Sequence, residues 1–156
     1  MNNPLDGVHI IKKMLEDGLI TRRLLTRVIL LCRKRKVDIV KVLSNYAKMS
    51  QDDIILFSTK HFELAKIDLN DIIPNPEVIK MAPLDSILSY KMIPIFQIRG
   101  TVHIVISNPF NWTGLCNMRR LFNGKCRFMI APEFQIINVI NNEIVTRYAG
   151  REAELV

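Results

Sequence analysis

The sequence is poor in the groups that make an enzyme. Its six glycines are scattered through 156 residues, and none is followed by Lys-Ser/Thr at the spacing of a phosphate-cradling loop, which argues against nucleotide hydrolysis by this chain alone. The three cysteines, Cys32, Cys116 and Cys126, are odd in number and share no C-x-x-C spacing. Neither a disulfide framework nor a zinc site follows, and they read as buried thiols. His9, His61 and His103 stand far apart without ligand spacing, His103 in mid-strand, and read as structural or exposed. The one close carboxylate pair, Asp52-Asp53, is explained by a helix N-terminus. With no nucleophile, base or metal cluster, the chain is read as non-enzymatic, with no catalytic residue, no metal site and no cofactor.

Long apolar runs are missing too. None reaches the roughly 20 residues that span a bilayer, because Arg33 to Lys36 interrupt the most apolar N-terminal helix. Pro4 and Asp6 stand where a secretory signal carries basic residues. A cytosolic location is therefore expected.

What is present is positive charge, unevenly placed. The net charge is +7. Residues 1–50 hold 11 Lys/Arg against 4 Asp/Glu, whereas residues 51–156 hold 11 of each, so the whole excess lies in the first third. A basic helical region points to an acidic protein surface, an anionic membrane face or nucleic acid as partner. The cluster Arg33-Lys34-Arg35-Lys36 comes without a reading motif or an aromatic platform, so nucleic acid is set aside.

Periodicity supplies the elements. Asn3 or Asp6 can cap a first helix with Val8, Ile11, Met14 and Leu15 at helical spacing, ending near Gly18. Thr21 caps a second, with Leu24, Leu25, Val28, Ile29 and Leu31 as its buried stripe and Arg22, Arg23, Arg27 and Arg33 to Lys36 mainly off it. Val37 to Tyr46 is a third, with Ile39, Val40, Val42 and Leu43 inward. Ser50 caps a fourth, whose Asp52 and Asp53 suit the helix dipole. The same unit thus occurs twice at an offset of 29 residues, Gly18-Leu19-Ile20-Thr21 answered by Ala47-Lys48-Met49-Ser50. Two such helix pairs can bury their apolar faces against each other.

Beyond residue 66 the pattern changes. Ile67 to Ile73 reads as extended and Glu77 to Tyr90 as a helix weakly interrupted at Pro83. Ile93 to Ile106 reads as two β-branched strands joined at Arg99-Gly100. Asn111 or Thr113 starts a helix to about Phe122, ended by Asn123-Gly124, and KCRFMIAP gives a third strand. Glu133 to Tyr148 is the last helix, with Phe134, Ile137, Val139, Ile140 and Ile144 apolar, and Trp112 covers one end of the sheet. The fold class is α+β: an N-terminal helical subdomain of two repeated helix pairs (1–66), then a small mixed α/β subdomain (67–148) with a three-stranded sheet flanked by helices. Residues 149–156 read as a tail or the start of a linker.

The stretch PLDSILSYKMIPIFQIRGTVHIVISNPFNWTGLCNMRRLFNGKCRFMIAPEFQIINVI resembles the N-terminal domain of type II secretion and type IV pilus assembly ATPases. Ile93-Pro94-Ile95, Arg99-Gly100, Asn108-Pro109, Asn123-Gly124 and Glu133 occupy that family's strand, turn, strand-end, helix-stop and last-helix positions. With the doubled helical unit the resemblance covers about residues 8 to 148. It implies a non-catalytic docking or regulatory domain that tethers a motor to the cytoplasmic part of an inner-membrane platform protein. The domain would be cytoplasmic, peripheral to that membrane and monomeric in isolation. If the basic excess serves this role, Arg22, Arg23, Arg27, Arg33 and Arg35 are the partner-binding candidates.

A subset of the family binds cyclic di-GMP through the doubled unit, with Arg-Leu-Gly opening each repeat, a Gly before the second helix and a closing Gln. Here His9 and Ile11, then Asp38 and Val40, stand in the opening places, and Cys32 and His61 in the closing ones. Gly18 alone remains, with Ala47 as its counterpart. The alternative reading, a diverged cyclic-di-GMP receptor domain attached to another effector, is thus disfavoured, and cyclic di-GMP is not expected as a ligand.

Overall fold

In a computed structural model that describes residues 7–35 and 39–154, eight α-helices surround a three-stranded sheet. Four helices come first: α1 (Gly7–Glu16), α2 (Arg22–Arg35), α3 (Ile39–Tyr46) and α4 (Gln51–Phe62). Their starts follow from local chemistry. Thr21 Oγ1 accepts from the Leu24 amide at 3.2 Å. Ser50 and Asp53 form a reciprocal capping box, Ser50 Oγ accepting from the Asp53 amide at 3.1 Å and Asp53 Oδ2 from the Ser50 amide at 3.0 Å. The Ser50 contacts hold the Asp53 carboxyl below its usual range, which agrees with a helix-start role for the pair. The caps expected at Asn3 or Asp6, and Lys36, Val37 and Asp38, lie outside the described residues.

Two helix pairs follow one another, α1–α2 and α3–α4, but the offset between them is not constant. Gly18 has φ +70°, and the matching left-handed residue in the second unit is Lys48 (φ 51°), not Ala47. The second loop is one residue shorter, so an offset of 29 that aligns Thr21 with Ser50 misaligns the residues before them.

The sheet contains β1 (Ile93–Ile98), β2 (Thr101–Ile106) and β3 (Cys126–Ile130) in the order β1-β2-β3. β1 and β2 are antiparallel and close through Arg99-Gly100, both at positive φ (50° and 81°), as a two-residue hairpin requires. β3 is parallel to β2, so the chain must cross over, and α7 (Trp112–Leu121) does this, capped by Asn111 Oδ1 on the Gly114 amide at 3.2 Å. Pro94 cannot donate to the ladder, and the register slips between Pro94 and Phe96. The Ile95 carbonyl thereby freed accepts from Asn75 at 2.8 Å.

Three expectations need correction. Ile67–Ile73 is not one extended segment. Ala65–Ile67 pairs in parallel with Ile130, and Asp68 then caps a 3-10 turn at Leu69–Asp71. The helix expected over Glu77–Tyr90 is two, α5 (Pro76–Ile79) and α6 (Leu84–Tyr90), because Pro83 lacks the N–H that would continue the first and is itself the N-cap of the second. The last helix, α8 (Glu133–Glu154), does not stop at Tyr148. One interior glycine costs only about 1 kcal/mol and does not end a long helix.

The two halves share a single core. Ile10, Met14 and Leu43 of the helical part and Ile93, Ile104, Ile106 and Leu115 of the α/β part belong to one buried cluster. Phe57 of α4 packs on Phe110 at 5.6 Å between ring centroids, and Gln51 Nε2 donates to the Ser107 carbonyl at 3.2 Å. Leu31, read as part of the buried stripe of α2, is exposed, as are Val8 of α1 and Phe134 and Ile137 of α8. In α1 the stripe is rotated onto Ile10 and Met14, and in α8 onto Ile136 and Ile140.

A candidate docking surface on the second helix

The five candidate arginines all lie on α2, and all are exposed. The buried side of that helix is narrow, Val28 and Cys32 being its fully buried residues, with Leu24, Leu25 and Ile29 half-buried beside them. Residues three or four apart share a helix face. Arg23, Arg27 and Lys34 therefore stand opposite the buried stripe, Arg22 and Arg33 border it on one side, and Arg35 sits at the C-terminal end. The structure thus brings Arg23 and Arg27 together and leaves Arg35 apart from them. Among the described residues, no carboxylate lies within ion-pair distance of any of the five.

Sequence reasoning missed an apolar feature of the same surface. Leu30 and Leu31 are 57% and 50% exposed, and Tyr46 at the end of α3 is 55% exposed. With Leu24, Arg27 and Val28 they line an open groove of 420 Å³. Leu30 lies three residues after Arg27 and seven after Arg23, hence on the arginine side of α2, which was the available signal, whereas Leu31, three after Val28 and four after Arg27, stands between the two sides. The groove couples an apolar floor to a cationic rim, and Arg and Tyr are the residue types that most often anchor protein interfaces.

The loops where the two helix pairs meet are closed differently. His61 Nε2 lies 2.6 Å from Asp17 Oδ2, and Lys60 Nζ lies 3.4 Å from Asp17 Oδ1. The His61 contact, against a smaller effect of burial, holds the Asp17 carboxyl below its ordinary value. The hollow beside this cluster measures 150 Å³ and is lined by Asp17, Asp53 and Lys60 with Leu19, Met49, Leu56 and Phe57. His9 packs tilted on Phe62 at 6.1 Å. Cys32 is buried, and Cys116 and Cys126 are half-buried free thiols. Among the described residues no group of three His, Cys, Asp or Glu side chains could hold a metal ion, and no described helix is long and apolar enough to cross a membrane.

Known proteins share this fold. Residues 61–142 match the family model described as the MshEN domain. No curated protein matches the sequence. Among solved structures, that of MshE with cdg superposes with a TM-score of 0.59 at 16% identity, covering 86% of this chain and 97% of that one. The N-terminal domain of XpsE gives 0.62 at 14% identity in one crystal form, over 90% of this chain and 96% of that one. A second crystal form gives 0.56, again at 14%, over 86% and 93%. At these identities the likeness establishes the fold.

Proposed function

Because the chain belongs to the MshEN domain family, we propose that it is a docking and regulatory N-terminal domain of a type II secretion or type IV pilus assembly ATPase. Its α2–α3 surface would tether the motor to the cytoplasmic part of an inner-membrane platform protein. The observation that carries this reading is the groove with its apolar floor at Leu30, Leu31 and Tyr46 and Arg27 at its rim, with Arg23 one turn away on the same helix face. Arg22, Arg33 and Arg35 extend the positive field around it, and steering by such a field acts mainly on association rate. In this reading residues 1–66 form the docking part, residues 67–148 form the α/β part that carries it, and residues 149–156 lead towards the motor. The domain works in the cytoplasm, peripheral to the membrane through its partner, as a monomer without catalysis of its own.

The test is direct binding of the chain to the cytoplasmic part of a bitopic platform protein, followed by calorimetry. Arg23→Glu with Arg27→Glu is expected to loosen binding about tenfold, roughly 1.4 kcal/mol, with thermal stability unchanged. Unaltered affinity would sink the assignment of this surface.

A second reading is favoured by one observation, the fold shared with MshE in its structure with cdg, taken as cyclic di-GMP. In the present chain the ligand would meet His9 and the half-buried Ile11 in place of an opening Arg and Gly. At the closing positions it would meet the buried Cys32 and a His61 engaged by Asp17. The hollow beside Asp17 is lined by none of these four residues, its 150 Å³ is smaller than the roughly 300 Å³ at which ligand pockets begin, and its two carboxylates oppose a phosphate. Weak or absent binding of cyclic di-GMP is expected, and saturation at micromolar ligand would reverse the order of the two readings.

A further inference from the structure

From Ser86 to Pro132 the sequence contains no Asp or Glu, while Lys91, Arg99, Arg119, Arg120, Lys125 and Arg127 are all cationic. This acid-free span holds the sheet, its crossover helix and most of α6. Two of the cations have partners: Lys91 pairs with Glu133 at 2.6 Å, and Arg119 lies over the Phe128 ring at 5.6 Å. Among the described residues, no carboxylate lies within ion-pair distance of Arg99 or Arg127.

The two faces of the sheet differ. On one, Val102, Ile104, Ile106, Phe128 and Ile130 are all buried. On the other, Val105 is buried, but the face opens towards the hairpin. The pairings Ile98↔Thr101 and His103↔Arg127 place these four side chains on that open face. With Arg99 they line a cleft of 410 Å³. Its floor is part apolar: Ile98 is 54% exposed, and His103 stacks on Phe96 with ring centroids 4.7 Å apart at 28°. Burial, then the Arg127 cation, pushes His103 below the ordinary imidazole value. The turn itself gives no reason for an arginine at residue 99, since a left-handed first position before Gly suits Asn or Asp better.

We propose that this cleft binds a nucleoside phosphate. The Arg99 and Arg127 guanidinium groups and the Thr101 hydroxyl take phosphate oxygens, for which planar guanidinium is well matched. The sugar and base lie against Ile98 and the His103–Phe96 pair. A bare phosphate would leave most of the cleft empty. The site is separate from the α2–α3 groove and does not depend on the docking role.

The same phosphate chemistry exists in a lipid headgroup, so the test has separate arms. The full chain, labelled with ¹⁵N, is titrated with ATP, with pyrophosphate and with phosphatidylglycerol vesicles. ATP is expected to shift the amides of Ile98, Thr101, His103 and Arg127, and pyrophosphate to shift Thr101 and Arg127 with lower affinity. Arg99→Asn and Arg127→Gln are each expected to loosen ATP about tenfold or more, the range of a hydrogen bond to a charged group. Arg99→Asn leaves a residue that suits the turn, so its folding is secure and it carries the test if Arg127→Gln fails to fold. No shift at millimolar ATP, shifts confined to the helical part, a response to vesicles alone, or unchanged ATP affinity in Arg99→Asn would each overturn the proposal.

Discussion

Replacing Asp17 by Asn removes a charge from the contact that ties the first helix pair to the second while keeping the side chain's size. Asp17 lies between α1 and α2, and His61 lies in the last turn of α4. Their side chains are 22% and 11% exposed and 2.6 Å apart, at the solvent edge of the helical part. A hydrogen bond to an ionised carboxylate contributes about 1.5–3 kcal/mol. Desolvation opposes the ionised carboxyl and residual solvent screens the pair, which leaves a net loss of about 1 kcal/mol for Asp17→Asn. At this chain length that is a fall in Tm of roughly 2–4 °C.

The sign with pH follows from the direction of the shift. Asp17 has a folded value below its ordinary 3.8, so its contribution is complete above that value and drains away as pH falls through the lower folded one. The difference in Tm between Asp17→Asn and the parent chain is therefore expected in full at pH 7 and to shrink below pH 3.8. Circular dichroism melts at the two pH values measure it, and a double-mutant cycle with His61→Ala isolates the coupling. An unchanged Tm at pH 7, or a gap that stays constant into acid, would refute the reasoning.

Other predictions concern single positions. Gly114→Ala places a Cβ 3.0 Å from Asn111 Nδ2, Met92 Cε and Tyr90 Cγ. The overpacking outweighs the gain in helix propensity, for a net loss of about 1 kcal/mol in a denaturant melt. Ser50→Ala removes the hydroxyl of the capping box and is expected to cost about 1 kcal/mol, with amide exchange accelerated first at the start of α4. Lys48→Gly is expected to stabilise by about 0.5 kcal/mol, because relief of the left-handed backbone exceeds the entropy that glycine adds. An unchanged or lower denaturation midpoint would count against that assignment.

Much of the fold was legible because its signals are local. Arg99-Gly100 between two β-branched runs specified a hairpin, and Thr21, Ser50 and Asn111 announced their helices before any tertiary contact is considered. Features set by distant partners were not legible. The parallel pairing of Ala65–Ile67 with Ile130 depends on a strand more than sixty residues later, so the segment alone suggested only extension. The Asp17–His61 pair joins residues separated by 44 positions, and nothing in either neighbourhood points to the other.

The surface proposed for docking was half legible. Charge counting located the arginines of α2, but Leu31 was read into the buried stripe and Leu30 was left without a role. The spacing of Leu30 from Arg23 and Arg27 was the signal that places it on the outer face. The acid-free span over the sheet was visible in the sequence from the start. Its meaning depended on the register that sets His103 beside Arg127, which composition cannot supply.

The role proposed for the α2–α3 surface is tested most directly by amide hydrogen exchange of the chain with and without the cytoplasmic part of its platform protein. Slowed exchange over Arg22–Arg35 and Ile39–Tyr46, abolished by Arg23→Glu with Arg27→Glu, is the predicted result. Protection confined to the sheet or to α8, or no protection under conditions where the complex forms, would contradict it.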